Sequence, residues 1–108
     1  MDLVKRFEIY LVNLDTEMSR DAKNTRPCVV VSPDELNEHL STVMIAPISA
    51  SGRVYPTCVP AQIINSERFV ILNQLRTVDT ARLVKRIGQV DENTQNAILE
   101  ILQEMFAR

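Results

Sequence analysis

Polar side chains stand at the ends of three apolar runs in this chain of 108 residues. Arg26 comes immediately before Pro27 and the run Cys28-Val29-Val30-Val31. Ser49 ends the run Thr42-Val43-Met44-Ile45-Ala46-Pro47-Ile48, and Asn73-Gln74-Leu75-Arg76-Thr77-Val78-Asp79 follows the run that closes at Leu72. Polar groups at strand ends, backed by a rigid sheet, are a common basis for a site. Arginine carries a planar fork that fits two phosphate oxygens at once. A nearby hydroxyl can donate to a developing oxyanion. The set therefore suggests phosphate-centred chemistry without a metal or other cofactor.

Other templates fail. There is no glycine-rich phosphate loop, no nucleophile elbow and no metal-binding histidine pair. His39 is the single imidazole, so a pair of histidines acting as acid and base cannot form within one chain. It reads as a solvated histidine after a helical turn. Cys28 and Cys58 are too few for a disulfide framework, and with one histidine they do not suggest a zinc site. Both read as small core hydrophobes. Arg76 and Asp79 read structurally as an ion pair, with Asp79 capping a short helix.

These residues need elements to position them. Glu8–Leu14 reads as a strand from its β-branched and aromatic content. Asp15–Thr25 is a polar loop of unusual length, and long loops on small scaffolds tend to carry function. Pro27–Ser32 is continuously apolar and predicts a strand covered on both faces. Ser32 is placed to cap a helical turn over Pro33–Asn37, with Pro33 at its first position. Thr42–Ile48 is a further strand in which Pro47 marks an edge or a bulge. Ser49–Val54 is a loop. Thr57–Ile64 and Arg68–Leu72 form a strand pair joined through Asn65-Ser66-Glu67. Asp79–Leu83 reads as a short capped helix and Lys85–Val90 as a weak strand. From Asp91, an N-cap, the period becomes helical, with Ala97, Ile98, Ile101, Leu102, Met105 and Phe106 on one stripe for core or dimer packing. The expectation is a mainly β domain over residues 1–108, a small barrel-like twisted antiparallel sheet closed by one C-terminal amphipathic helix.

Composition agrees with a soluble fold: 45% hydrophobic and 24% charged residues exclude disorder, coiled coil and collagen. No run approaches the ~18 apolar residues of a membrane span. The first residues interleave acid and base without an apolar signal core, so the chain is expected in the cytoplasm. The net charge of −2 conceals an asymmetry, because residues 91–108 carry −3 and the remainder +1. The global balance therefore leaves room for an RNA-binding face.

Several segments, in order, resemble the MazF/PemK toxins of type II toxin–antitoxin systems. They are Phe7-Glu8-Ile9-Tyr10-Leu11-Val12-Asn13-Leu14-Asp15, Thr25-Arg26-Pro27 through Asp34, Asn37-Glu38-His39-Leu40, Val43 through Ser49, Gln74-Leu75-Arg76-Thr77-Val78-Asp79, Arg82-Leu83 and Ile87-Gly88. The resemblance implies a dimeric toxin with a MazF/CcdB-like fold. Its implied activity is metal-independent, sequence-specific cleavage of single-stranded RNA (an mRNA interferase), in which the 2′-hydroxyl attacks the adjacent phosphate to leave a 2′,3′-cyclic phosphate and a 5′-hydroxyl. The family's catalytic arginine maps onto Arg26 and its catalytic threonine onto Ser49. The loop Asp15–Thr25, with Arg20, Asp21 and Lys23, would lie over the substrate, and Asn73, Gln74 and Arg76 would complete the RNA surface. Arginine's pKa exceeds 12, so Arg26 is expected to act mainly as an electrostatic clamp. Implied partners are a second copy of the chain and an antitoxin with an acidic, partly disordered C-terminal segment. Operator DNA would be met only through that antitoxin, and no membrane is involved. The alternatives are a non-catalytic toxin of the same fold that binds a protein such as DNA gyrase, or an attenuated toxin acting as co-repressor. Relatives carry glycine where this chain has Phe7, proline at Thr16, and Gly-x-Glu at Ser19-Arg20-Asp21.

Overall fold

A computed structural model describes residues 3–14, 24–51 and 56–108. Its strands are β1 (Glu8–Asn13), β2 (Thr25–Val30), β3 (Thr42–Ser49), β4 (Cys58–Ile63), β5 (Ser66–Ile71), β6 (Arg76–Asp79) and β7 (Leu83–Gln89). Among the described residues the order also includes the α-helices α1 (Asp34–His39) and α2 (Glu92–Phe106) and the 3-10 turns Leu72–Gln74 and Thr80–Arg82. The sheet runs β4-β5-β3-β2-β1-β7, all antiparallel, and β6 pairs with the first half of β3. The edge strands β6 and β7 are joined by only the three-residue turn Thr80–Arg82. So short a connection ties the end of β6 to the start of β7, and the sheet curls into a half-barrel without pairing the two strands.

Strand alternation sorts the core into two clusters. Ile9, Val29, Val31, Ala46 and Ile48 face β4, β5 and α2, with Ile98 at the centre. Val12, Cys28, Val30, Val43, Ile45, Val78 and Leu83 face the inside of the curl. β2 is thus buried on both faces, which explains its unbroken apolar run. Pro47 sits where β3 changes partner: its pairs with β6 end at Ile45↔Arg76 and those with β5 begin at Ile48↔Val70. A residue without an N–H removes no ladder bond there.

Asp91 caps α2 by accepting from the Thr94 N–H at 2.8 Å, and the Thr94 hydrogen bonds hold its carboxyl below the usual carboxylate range. Ala97, Ile98, Ile101, Leu102 and Met105 pack into the core. Phe106 does not, being 73% exposed. At 100° per residue it lies roughly 80° round from Ile98, in the last turn.

Other boundaries depart from the sequence expectation. Ser32 does not cap α1: Pro33 holds the cap position without a side-chain bond. The buried Ser32 hydroxyl instead donates to Asn37 Oδ1 at 2.6 Å and accepts from Met44 N–H at 3.0 Å. It satisfies a strand amide that would otherwise be orphaned. The β4–β5 connection is the two-residue turn Ile64-Asn65 rather than Asn65–Glu67. Both residues are left-handed, with φ of 51° and 60°, the geometry of a type I′ hairpin turn. The Asp79 cap holds, accepting from Ala81 N–H at 2.9 Å, but the helix is a single 3-10 turn and β7 starts at Leu83. β6 has only Val78 buried, too little alternation to signal a strand. Among the described residues no helix is long and apolar enough to cross a membrane.

Phe7 has a φ of 72°, a conformation that costs an L side chain about 1–2 kcal/mol. Its backbone is held on both sides: its N–H donates to Val30 O at 2.7 Å and its carbonyl accepts from Val90 N–H at 3.1 Å. Arg6 stacks over the Phe7 ring at 5.4 Å and donates from Nε to Val31 O at 2.9 Å. Glu8 is buried, accepts from Lys5 N–H at 2.6 Å and pairs with Arg86. These neighbours fix a backbone bend that glycine makes without strain.

Candidate active site

Alternation along β2 sends Arg26 to the same face as Cys28. On the other side of β3, β6 starts with Arg76, paired with Ile45. The two arginines border one cleft of about 570 Å³, lined by Leu14, Arg26, Cys28, Ile45, Pro47, Ile48, Gln74, Leu75 and Arg76. The cleft lies where β3 switches partners, so the gap in the ladder becomes its floor. Arg26, Gln74 and Arg76 are exposed. Among the described residues neither guanidinium has a carboxylate partner, and no acidic side chain lines the cleft.

The expected Arg76–Asp79 pair is absent among the described contacts. Residues three apart in a strand point to opposite faces, and the Asp79 carboxylate is committed to Ala81 N–H. Asn73 stands just outside the cleft lining, its Oδ1 accepting from the Thr57 hydroxyl at 3.2 Å. His39 is exposed at the end of α1 and does not border the cleft.

Ser49 is half-buried at the end of β3. The β2–β3 register ends at Cys28↔Pro47; two residues further on, Ser49 pairs with Phe69 of β5 and is not among the residues lining the cleft. The Ser49 hydroxyl is engaged with its own loop: Oγ donates to Ser51 O at 2.6 Å and accepts from Ser51 N–H at 3.3 Å. Arg20, Asp21 and Lys23, expected over the substrate, lie outside the described residues.

Cys28 was legible as core but not as cleft wall. It is fully buried, and burial pushes its thiol up to about 12, against the opposing field of Arg76. Its Sγ donates to Arg26 O at 3.7 Å. The signal was its spacing, two residues from Arg26 in a strand, which puts both on one face.

A family model described as the PemK-like, MazF-like toxin of type II toxin-antitoxin systems matches residues 5–106. The chain belongs to this family. This PemK/MazF-like toxin is 27% identical over 113 residues to Endoribonuclease EndoA of Bacillus subtilis (strain 168), covering 97% of this chain and 96% of that protein. Its fold is similar to that of Mycobacterium tuberculosis toxin MazF-mt6, with a TM-score of 0.76 at 22% identity, covering 92% of this chain and 95% of the other. A mycobacterial endoribonuclease solved in complex with its cognate antitoxin gives a TM-score of 0.80 at 22% identity, covering 94% and 92%. MazF from Deinococcus radiodurans gives 0.79 at 15% identity, covering 97% of each chain. The shared architecture is the curled antiparallel half-barrel with its C-terminal helix.

Proposed function

We propose that this PemK/MazF-like toxin is an endoribonuclease that cleaves single-stranded RNA by internal transesterification. The 2′-oxygen forms a bond to the adjacent phosphorus and the P–O5′ bond breaks. The 2′-hydroxyl gives up its proton and the leaving 5′-oxygen takes one up. The products are a 2′,3′-cyclic phosphate and a 5′-hydroxyl, with no water consumed. The observation that carries this reading is Arg26, exposed at the head of β2 on a cleft without acidic side chains among the described residues. A guanidinium stabilises the extra charge of a pentacoordinate phosphorane without having to move a proton. Kinship with a protein named an endoribonuclease supports the same reading.

In this scheme Ser49 releases Ser51 O and turns its hydroxyl to a phosphate oxygen. Gln74 and Asn73 read the strand beside the cleft, and Arg20, Asp21 and Lys23 contact it from the loop before β2. The chain acts as a cytoplasmic homodimer. An acidic antitoxin segment neutralises it by occupying the RNA groove, folding as it binds, and brings it to operator DNA.

Incubation with single-stranded RNA in EDTA tests the assignment. Cleavage is expected to persist in EDTA, and Arg26→Ala is expected to lower it by about 10²–10³-fold, as for loss of a transition-state donor. Cleavage indifferent to Arg26, or none, removes the assignment. Sequencing the new 5′ ends reports the motif cut.

A further inference from the structure

We infer that Arg76 is a second catalytic cation on the scissile phosphate, closing a two-guanidinium clamp with Arg26 from the opposite side of β3. This rests on the ribonuclease reading and adds a residue to it. The two arginines come from strands on either flank of β3, β2 and β6, and meet in one cleft over Pro47. The obvious internal counter-ion, Asp79, faces away and holds Ala81 N–H. Two cations bordering one cleft both gain from a shared anion. The anion that both hold most strongly is the one whose charge grows during the reaction.

The field of Arg76 reaches the Cys28 thiol, whose donor contact is to the Arg26 carbonyl. Arg76, Cys28 and Arg26 all line the same cleft. A guanidinium on the reacting phosphate strengthens its hold in the transition state and changes ground-state affinity little. One serving a neighbouring phosphate does the reverse.

The experiment compares Arg76→Ala, Arg76→Lys and wild type on an RNA oligonucleotide with a single cleavable linkage, prepared with each phosphorothioate diastereomer at that linkage. Thermal melts confirm that the variants fold. The clamp predicts that Arg76→Ala lowers kcat about 10²-fold and changes KM less than about threefold, with partial recovery in Arg76→Lys. Affinity for the uncleavable 2′-deoxy oligonucleotide stays near wild type. One diastereomer slows wild type, because sulfur is a poor acceptor, and that penalty disappears in Arg76→Ala while persisting in Arg26→Lys. A raised KM with kcat intact, or a thio penalty unchanged by Arg76→Ala, overturns the clamp while leaving the ribonuclease reading standing. If wild type cleaves nothing, both fall.

Discussion

Arg26 and Ser49 each stand two residues beyond Cys28↔Pro47, the last pair of β2 with β3, and Ser49 there pairs with Phe69 of β5. Strand alternation directs both side chains to the side shared by Cys28 and Pro47, with Arg26 in the cleft lining and Ser49 outside it. In this chain the hydroxyl is turned to Ser51 O at 2.6 Å. Ser49→Ala is expected to lower kcat by about 10–10²-fold with little change in KM, measured on a fluorogenic oligonucleotide. Ser49→Thr is expected to match or exceed wild type, because a β-branched side chain has a stiffer χ1 and is less free to swing into its own loop. Equal activity of the alanine variant would remove Ser49 from the mechanism.

Cys28 makes stability depend on alkaline pH. Its thiol rises from an ordinary value of 9.0 to about 12 on folding. Between those values the unfolded chain releases a proton that the folded chain keeps. Stability is therefore full below pH 9.0 and declines toward about pH 12, by at most roughly 4 kcal/mol. Urea melts across that range check the slope. Cys28→Val is expected to flatten it, whatever its effect at neutral pH.

The Ile64-Asn65 turn is left-handed at both residues, and Ile64 is 65% exposed. Replacing the pair by Asn-Gly keeps the turn and removes β-branched strain at small loss of burial. Stability is expected to rise by about 1 kcal/mol, seen as a higher urea midpoint with an unchanged slope. A fall would mean that the Ile64 side chain holds the hairpin through its contacts.

Phe7 is the opposite case. Phe7→Gly relieves about 1–2 kcal/mol of backbone strain, but it empties a core position that is 8% exposed. Removing a buried aromatic ring costs about 3–5 kcal/mol. The loss of packing outweighs the relief, so the variant is expected to be less stable by roughly 2–3 kcal/mol in urea unfolding. A stabilised variant would show the strain to be the larger quantity.

Long, strongly patterned segments were legible in sequence. The double burial of β2 follows from its unbroken apolar run, and α2 from its stripe and Asp91. β6 was not, because its Arg-Thr-Val-Asp buries one residue and gives no period to read. Its position beside β3 depends on curling of the whole sheet. The misreading of Arg76 with Asp79 followed directly, since their facing depends on knowing that they lie in a strand. Ser32 shows the same limit: a serine before Pro-Asp-Glu looks like a cap, and only the approach of β3 shows that Met44 N–H needs it more. The meeting of Arg26 with Gln74 and Arg76 is a non-local consequence of β3 having two successive partners.

Pro47 has one more consequence. A cleft cut into a sheet exposes a stretch of strand backbone, and such edges invite pairing with other chains. At this gap the residue on β3 has no N–H to offer, so an incoming strand finds an incomplete ladder. The opening can stay accessible to a ligand without becoming a seed for aggregation.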